Sequence, residues 1–369
     1  MLFPTQEIGS IARPNWLIKK LRGASLKNGD LDELNHWIKF SSFEKPKELK
    51  DILKKERIDE EDKNKLRDLS SLLVIRCFEK VGLDIVYDGE QHRTEMYQEP
   101  ISNINGFKFY GEVRSFDNKY YKKAACIEEP ELKNPYHIDE FNYIKELTDK
   151  PIKVPLTGAY TFTNWSFNEY FLKKWIGKER SRKKAIYKAD YDLAMSLAKN
   201  VIRPNILALK DIGAKLIQID EPAATTEPEE IDIFLDSYSE STKGINGCKF
   251  SLHICYSDYS LLYPHILKLE NCSQYTFEFA QSDSYDFLEL MRKYKDEREV
   301  GLGVIDSHSD KIESPELIRD RILNATKIIE PERIYVNPDC GLRTRSWRVA
   351  FKKLENMVKG TSLARKTFS

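Results

Sequence analysis

Residues 252–258, Leu-His-Ile-Cys-Tyr-Ser-Asp, place an imidazole and a thiol two positions apart. The residues around this pair are β-branched and aromatic and give way to polar ones, which predicts a strand over Lys249–Ile254. Alternate residues of a strand project to the same side, so His253 and Cys255 present their side chains together. The pair therefore offers half of the ligand set that zinc takes in proteins.

Two later segments carry candidates for the other half of a zinc site. Glu278 and Cys340 each lie at the end of a later predicted strand. An isolated His-x-Cys is usually incidental, but the Asp-Cys-Gly of residues 339–341 and the intervening Glu favour a metal site. Zinc fits better than iron or copper, because neither a Cys-rich cluster spacing nor a blue-copper ligand set is present. Such a zinc, with one open or exchangeable position, activates a substrate thiol.

The other four cysteines do not share this arrangement. Cys248 and Cys272 precede their strands and belong at the opposite end of the sheet, and Cys77 lies on an apolar helix face that is typical of a core. Cys126 lies in a long insertion with no evident partner. Six scattered cysteines in a long chain argue against a disulfide framework.

Composition excludes several classes of partner. The chain carries 59 basic and 59 acidic residues, so it has no charge footprint for nucleic acid or for an anionic membrane. No apolar run is long enough to span a bilayer, and the N-terminus lacks the pattern of a secretory signal. We therefore expect a cytoplasmic protein that binds neither nucleic acid nor membrane.

Short apolar strands alternate with helical segments along the chain. The predicted strands are Thr5–Ile11, Leu83–Asp88, Lys153–Thr157, Lys215–Ile219, Lys249–Ile254, Gln274–Phe279, Glu299–Ile305 and Arg333–Val336. The predicted helices are Leu66–Val81, Lys184–Ile212, Glu229–Ser241, Tyr259–Leu269, Tyr285–Tyr294, Pro315–Ile329 and Thr344–Val358. Eight such units predict an α/β fold, a (β/α)8 TIM barrel that takes the whole chain, residues 1–369, as a single catalytic domain. The alternative, an open doubly wound sheet, lacks a Gly-rich phosphate loop after its first strand.

The segment of about residues 91–150 is too long for a simple loop between a strand and a helix. It contains the apolar runs 106–110 and 119–122, separated by polar residues, which predict a β-hairpin inserted after the second barrel strand. Such an insertion can form a roof over an active site.

Polar clusters follow the predicted strands rather than preceding them. They are residues 9–10, 88–90, 220–222, 253–255, 278, 282–283, 306–308 and 339–341. In a (β/α)8 barrel the active site lies at the carboxyl ends of the strands. Structural charges would be spread over both ends, so this distribution indicates a site.

These clusters, in order, resemble the pattern of the cobalamin-independent methionine synthase family, in its C-terminal catalytic barrel. The matching motifs are Ile8-Gly9-Ser10, Asp88-Gly89-Glu90, Ile219-Asp220-Glu221-Pro222-Ala223, His253-Ile254-Cys255, Glu278 with Ser282-Asp283, Asp306-Ser307-His308 and Asn337-Pro338-Asp339-Cys340-Gly341-Leu342. The resemblance runs from about residue 5 to residue 358. The His-x-Cys and the Asn-Pro-Asp-Cys-Gly-Leu are together highly specific, whereas the shorter motifs are weaker alone.

The resemblance implies a methyltransferase that methylates the thiol of homocysteine to give methionine. It implies that zinc is held by His253, Cys255, Glu278 and Cys340. It implies further roles in substrate binding and proton transfer: carboxylates for the α-ammonium (Glu90, Asp220), a cradle for the α-carboxylate (Ile8, Gly9, Ser10), a neighbour of the amino-acid site (Asp283) and a histidine that assists proton transfer (His308).

The two carboxylates and the histidine also have a structural interpretation. Glu90 and Asp220 are of the type that forms salt bridges to Arg or Lys inside a barrel. His308 is of the type that only orients a neighbouring group.

The methyl donor is where the chain departs from the long members of the family. An Arg-Cys pair that binds folate in those enzymes aligns with Tyr120-Tyr121, and an acidic folate contact aligns with Thr226. Trp165 does match the tryptophan of the folate pocket, and it suits either stacking on a flat donor or packing against the insertion. We therefore expect a methylcorrinoid such as methylcobalamin, or a methylated pterin, delivered free or on a carrier protein.

Three other functions remain open at this point. The first is zinc-dependent alkyl transfer to another thiol such as coenzyme M, which has no ammonium and no use for Glu90 and Asp220. The second is a non-catalytic zinc subunit that docks a methyl carrier, in which loss of Cys340 would disrupt assembly rather than chemistry. The third, a decarboxylase on the same barrel type, would not need the zinc ligands.

Overall fold

The computed structural model describes residues 1–114, 120–280 and 286–368. Its strands are β1 (Ile104–Arg114), β2 (Tyr120–Leu132), β3 (Lys153–Thr157), β4 (Phe167–Asn168), β5 (Leu216–Asp220), β6 (Lys249–His253), β7 (Gln274–Phe277), β8 (Glu299–Ile305) and β9 (Ile334–Pro338). Its helices are α1 (Asn15–Leu21), α2 (Asn28–Ser41), α3 (Pro46–Lys54), α4 (Glu60–Val81), α5 (Gln98–Ile101), α6 (Ile138–Lys145), α7 (Ala159–Asn164), α8 (Glu169–Trp175), α9 (Arg182–Leu197), α10 (Arg203–Asp211), α11 (Ile231–Thr242), α12 (Asp286–Tyr294), α13 (Pro315–Ala325) and α14 (Trp347–Arg365).

A ring of parallel strands forms the centre of the molecule. Six of them are hydrogen-bonded in the order β3-β5-β6-β7-β8-β9. Two short segments, residues 5–6 and 85–86, close the ring through parallel bridges: Thr5 with Val336, Gln6 with Ile85, and Val86 with Ile152. The predicted (β/α)8 barrel is confirmed, although its first two strands are shorter than predicted. Assignment of the whole chain to one domain stays a prediction.

Local sequence signals determine where the helices that surround the ring begin and end. At the start of α4, the side chain of Asp59 accepts a hydrogen bond from the backbone N–H of Asp62, and α4 ends at Gly82 with φ of 91°. Ser314 caps α13 in the same way and Pro315 occupies its first position, where a missing N–H is tolerated. These capped helices cover the strands, whose side chains are almost all buried.

Helices α1, α2 and α3 were not predicted from the sequence. They lie between the first two strand segments of the ring and pack on its outer helices. The ring of Trp37 in α2 lies 5.4 Å from that of Trp347 and 5.1 Å from that of Phe351, both in α14. The first and last parts of the chain are therefore joined by aromatic packing on the outside of the barrel.

Two predicted helices differ from the observed structure because each contains a proline. The predicted helix Tyr259–Leu269 is wrong: two 3-10 turns, Tyr259–Leu262 and His265–Lys268, stand in its place, and Tyr263 is extended. Pro264 disfavours helical geometry at the preceding residue, which explains the break. Within the predicted Lys184–Ile212, a π-helical turn over Ala198–Ile202 precedes Pro204, which has no N–H to continue the ladder.

The predicted hairpin insertion is confirmed. Strands β1 and β2 pair antiparallel, and the turn between them, residues 115–119, lies outside the described residues. Strand β2 also pairs with β4, which follows shortly after α7. The insertion is thereby attached to the segment that leaves the carboxyl end of β3. None of the described helices has the length and apolar character required to span a membrane.

Candidate metal centre and amino-acid site

The carboxyl ends of β6 and β9 bring three possible metal ligands together. His253 is the last residue of β6, Cys255 follows two positions later, and Cys340 lies two residues beyond the end of β9. One ligand atom of each residue lies within 4.8 Å of the other two. One nitrogen and two sulfurs are an ordinary zinc donor set.

The hydrogen bonding of His253 prepares one nitrogen for a metal. Its Nδ1 lies 2.8 Å from the backbone oxygen of Thr276. A carbonyl oxygen only accepts, so Nδ1 carries the hydrogen and Nε2 of the neutral ring has a free lone pair. Nε2 is buried and has no hydrogen-bond partner among the described residues. A buried acceptor beside two thiols fits zinc, and the residues present therefore fit the implied metal.

The two thiols differ in their electrostatics. The hydrogen bond from Cys255, with help from His253, holds the pKa of Cys340 well below its usual value despite burial. The same contact with Cys340 and burial raise the pKa of Cys255. Without a metal, burial lowers the pKa of His253, but the Cys340 thiolate more than offsets it and raises it to about 9, so a metal at Nε2 would replace a proton there. The pocket therefore favours a thiolate at Cys340, the form that binds metal.

Glu278, the fourth predicted ligand, lies outside this group of three. It directly follows β7, and its Oε1 lies 3.2 Å from Nε2 of His308. The other ring nitrogen of His308, Nδ1, contacts the hydroxyl of Tyr256. The predicted ligand and the predicted proton-transfer residue are thus in direct contact. Assignment of Glu278 as a zinc ligand stays a prediction.

The segment predicted to cradle a carboxylate is connected to the two predicted ammonium-binding carboxylates. Gln218 Nε2 donates to the backbone oxygen of Ile8 at 2.6 Å and to Oδ1 of Asp220 at 2.7 Å. A Cβ placed on Gly9 would lie 2.7 Å from Oε1 of Glu90, so only glycine fits there without displacing that carboxylate. Residues from three barrel strands therefore meet at one place.

Ser10 connects this cradle to the metal centre. A Cβ on Gly341 would lie 2.5 Å from the hydroxyl of Ser10. Gly341 directly follows Cys340, so its lack of a side chain allows the cradle to approach the thiols. The predicted cradle and the candidate metal ligands are consequently neighbours.

Burial raises the pKa values of both carboxyls in this site. Burial raises the pKa of Glu90 to about 7, with Arg93 opposing and Asp220 adding to the shift. Burial likewise raises the pKa of Asp220 to about 6, with His253 opposing. Two buried carboxyls that disfavour each other's charge form a site that a cation stabilises.

Two acidic residues of the site were given no role by the sequence analysis. Glu7 is buried, neither of its carboxyl oxygens has a partner among the described residues, and burial raises its pKa to about 8. A charged residue inside a predicted strand, next to Ile8, was the available signal. Glu221 accepts hydrogen bonds from the backbone N–H groups of Tyr160 at 3.1 Å and Thr161 at 2.7 Å. It therefore caps α7, the helix that leads to Trp165.

Trp165 follows α7 and is half-buried. Its ring lies 6.3 Å from that of Tyr97 and is tilted by 58° to it, so part of its surface packs against the insertion. The rest is accessible, and stacking on a donor stays a prediction. Asp283, the remaining predicted site residue, lies outside the described residues.

The other four cysteines lie away from the candidate metal centre. Cys77 is fully buried in α4 and belongs to the core, and Cys126 is buried in β2. Cys248 and Cys272 precede β6 and β7, at the amino ends of those strands. None of the six cysteines, all of which lie in the described residues, forms a disulfide in this structure.

A parallel barrel with histidine, thiols and buried carboxyls at the carboxyl ends of its strands defines a (β/α)8-barrel enzyme with a thiol-rich site. The family described as "Cobalamin-independent synthase, Catalytic domain" matches residues 40–362. The chain belongs to this family and is an enzyme of it.

Relatives of known name agree with this assignment. A methionine synthase of Thermococcus kodakarensis is 37% identical over 367 residues, which cover 99% of this chain and 94% of the relative. That of Thermoplasma acidophilum is 40% identical over 351 residues, covering 86% of this chain and 94% of the relative. A solved B12-independent methionine synthase of a Shewanella species, in complex with selenomethionine, superposes with a TM-score of 0.76 over 100% of this chain and 99% of the other, and at 22% identity this likeness concerns the fold.

Proposed function

We propose that the protein transfers a methyl group to the sulfur of homocysteine, forming methionine, in a zinc-dependent reaction. The observation that carries the proposal is that three possible metal ligands, His253, Cys255 and Cys340, lie beside the segment predicted to cradle the α-carboxylate. In the reaction the thiol loses its proton, a sulfur–methyl bond forms, and the bond between methyl and donor breaks.

His253, Cys255 and Cys340 would hold the zinc, and Glu278 would complete the set. When bound, zinc lowers the pKa of a coordinated thiol and so supplies a thiolate at neutral pH. In this structure Glu278 contacts His308 and lies outside the group of three possible ligands. This position suits a ligand that exchanges with the incoming sulfur.

The cradle favours an amino-acid thiol over other thiols. Glu90 and Asp220 would receive the α-ammonium, because charge-assisted hydrogen bonds to a buried cation satisfy both carboxyls. The backbone of Ile8 and Gly9 and the hydroxyl of Ser10 would hold the α-carboxylate. Coenzyme M, which ends in a sulfonate and has no ammonium, would bring no cation to these two carboxyls.

His308 would hold and move the proton in the reaction. Glu278 faces its Nε2 and the hydroxyl of Tyr256 faces its Nδ1. The ring therefore has a carboxylate on one side and a group that both donates and accepts on the other. A proton released near the zinc site can pass through His308 to the exposed Tyr256, whose side chain reaches solvent.

For the donor we propose a methylcorrinoid or a methylated pterin, supplied free or on a carrier protein. The support is the replacement of the folate contacts by Tyr120-Tyr121 and Thr226. The hydroxyl of Thr226 donates to the backbone oxygen of Ala223, so it is already used within its own turn.

Metal analysis combined with methyl-transfer assays tests the proposal. The pure protein, loaded with zinc, is given homocysteine and in turn methylcobalamin, methyltetrahydrofolate and a methylated tetrahydropterin. We expect about one zinc per chain and methionine formation that a chelator abolishes and added zinc restores. Turnover that is indifferent to the chelator would contradict the zinc dependence. Equal rates with methyltetrahydrofolate and methylcobalamin would contradict the proposed donor.

A further inference from the structure

A cavity of about 670 Å³ lies at the end of the barrel opposite the metal centre. It is lined by residues from the amino ends of the barrel strands, among them Gln6, Ile152, Leu216 and Gln274. The amino-terminal face of such a barrel is normally the part that serves stability. Here it contains an opening whose volume falls in the range of small-molecule sites.

The walls of this cavity are strongly positive. Its charged lining consists of one acid, Asp149, and five lysines: Lys145, Lys150, Lys153, Lys215 and Lys249. Lys249 is paired with Glu299. The ammonium groups of Lys145, Lys150 and Lys215 have no ion-pair partner in the part of the chain that the structure describes. The cavity therefore attracts anions.

The floor of the cavity contains a polar group that lacks a partner. Ser251 in β6 is 5% exposed, and its hydroxyl has no hydrogen-bond partner among the described residues. Its neighbours on the floor are satisfied: Gln274 Oε1 accepts from Gln6 Nε2 at 3.1 Å, and Lys153 Nζ donates to the backbone oxygen of Glu7 at 2.7 Å. An unpaired buried hydroxyl is unfavourable, so Ser251 has an unused hydrogen bond just beneath the surface of the cavity.

We propose that this cavity binds a small organic oxyanion that carries at least two negative charges. Lys150 and Lys215 attract it at the rim, and the hydroxyl of Ser251 donates to one of its oxygens at the floor. Lysines bind such groups as point charges, without the paired geometry of arginine. A phosphate group and a set of carboxylates share this chemistry. The site is separate from the metal centre and does not depend on the proposed methyl transfer.

Calorimetric titration of the full-length protein tests the site. Inorganic phosphate and citrate are titrated separately, with ionic strength held constant by sodium chloride, so that the two arms distinguish a phosphate group from carboxylates. We expect saturable one-to-one binding of at least one of the two anions. The absence of saturable heat with both anions would overturn the proposal.

Three variants locate the binding. The double substitution Lys150→Gln/Lys215→Gln should weaken binding at least tenfold, and Ser251→Ala should weaken it several-fold without any change of charge. The control Lys173→Gln/Lys178→Gln removes the same charge from exposed lysines outside the cavity and should bind as the wild type does. Equal affinities for the control and the Lys150/Lys215 variant would mean nonspecific attraction and contradict the site. An unchanged affinity after Ser251→Ala would mean that the anion binds only at the surface, which would contradict binding inside the cavity.

Discussion

The carboxylate of Glu278 lies 3.2 Å from Nε2 of His308, while the possible ligand atoms of His253, Cys255 and Cys340 form a group without it. Glu278 therefore has two available partners, the imidazole ring of His308 and a metal. A carboxylate that exchanges between them would leave a coordination position for the substrate sulfur. The three other side chains then provide the permanent part of the site.

Removal of single ligands should therefore have unequal effects on zinc affinity. We expect Cys340→Ser to lower the affinity by more than about 100-fold, since loss of a ligand exceeds the 10–100-fold effect of an outer hydrogen-bond partner. Glu278→Gln should lower it by only about 10-fold. Competition with a chromophoric chelator measures both values. Cys248→Ser is the matched control, because its thiol lies at the other end of β6. Equal losses for Glu278→Gln and Cys340→Ser would show that Glu278 is a permanent ligand.

Substitution of Glu90 should affect recognition of the substrate and spare the metal. Glu90→Gln keeps the shape of the side chain and removes the charge that we assign to the α-ammonium of homocysteine. Loss of one charge-assisted hydrogen bond of about 1.5–3 kcal/mol should raise KM by about 10- to 100-fold. Steady-state kinetics at saturating donor measures the change.

A substrate analogue provides the control for this experiment. 4-Mercaptobutanoate has the thiol and the carboxylate of homocysteine and lacks the ammonium. Wild type and Glu90→Gln should use it equally poorly and bind zinc equally well. A large difference between the two proteins with this analogue would mean that Glu90 acts on the thiol or the metal instead.

Much of the site could be predicted from the sequence because strand ends are local features. The apolar runs predicted the strands. His253 and Cys255 lie at the end of one such strand, which placed both residues at one end of the barrel. Their approach to Cys340 required only that parallel strands have their carboxyl ends on one side. Each of these predictions concerns the end of a single strand.

Other features depend on contacts between distant segments, and the sequence pattern does not contain them. The contact of Glu278 with His308 is set by side-chain directions at two strand ends. The packing of Trp37 on Trp347 joins helices more than 300 residues apart in the chain, a separation for which no periodicity gives a signal. Pro264, by contrast, was a local signal, and it explains the break that replaces a predicted helix.

The buried ion pair between Arg93 and Glu140 should be important for stability. Arg93 Nε donates to Oε1 of Glu140 at 2.9 Å, and both side chains are about 95% buried. Glu140→Ala removes the close carboxylate from the buried guanidinium, whose next one, Glu90, lies 3.9 Å away, and should lower the free energy of unfolding by about 3–5 kcal/mol. Chemical denaturation measures this. Glu146→Ala, at an exposed position just beyond α6, the helix that contains Glu140, should change the free energy of unfolding by less than about 0.5 kcal/mol. A loss below about 1 kcal/mol for Glu140→Ala would contradict the assigned role.

Glu7 should make the protein less stable as the pH rises. Burial raises its pKa from 4.5 to about 8 in the folded protein, so the folded state keeps a proton that the unfolded chain releases. Between these two values the unfolded state binds fewer protons, and the free energy of unfolding falls with rising pH by at most about 1.4 kcal/mol per unit. Glu7→Gln carries no titrating group and should remove this slope. Its stability relative to the wild type should therefore increase steadily from pH 5 to pH 8, as measured by denaturant unfolding at each pH.

The window ends at pH 8 because burial lowers the pKa of Lys153 to about 8, and that group adds stability as the pH rises further. The variant Glu56→Gln, at an exposed position, controls for the loss of a charge. A difference in the free energy of unfolding between Glu7→Gln and the wild type that does not change with pH would show that Glu7 is ionised in the folded barrel.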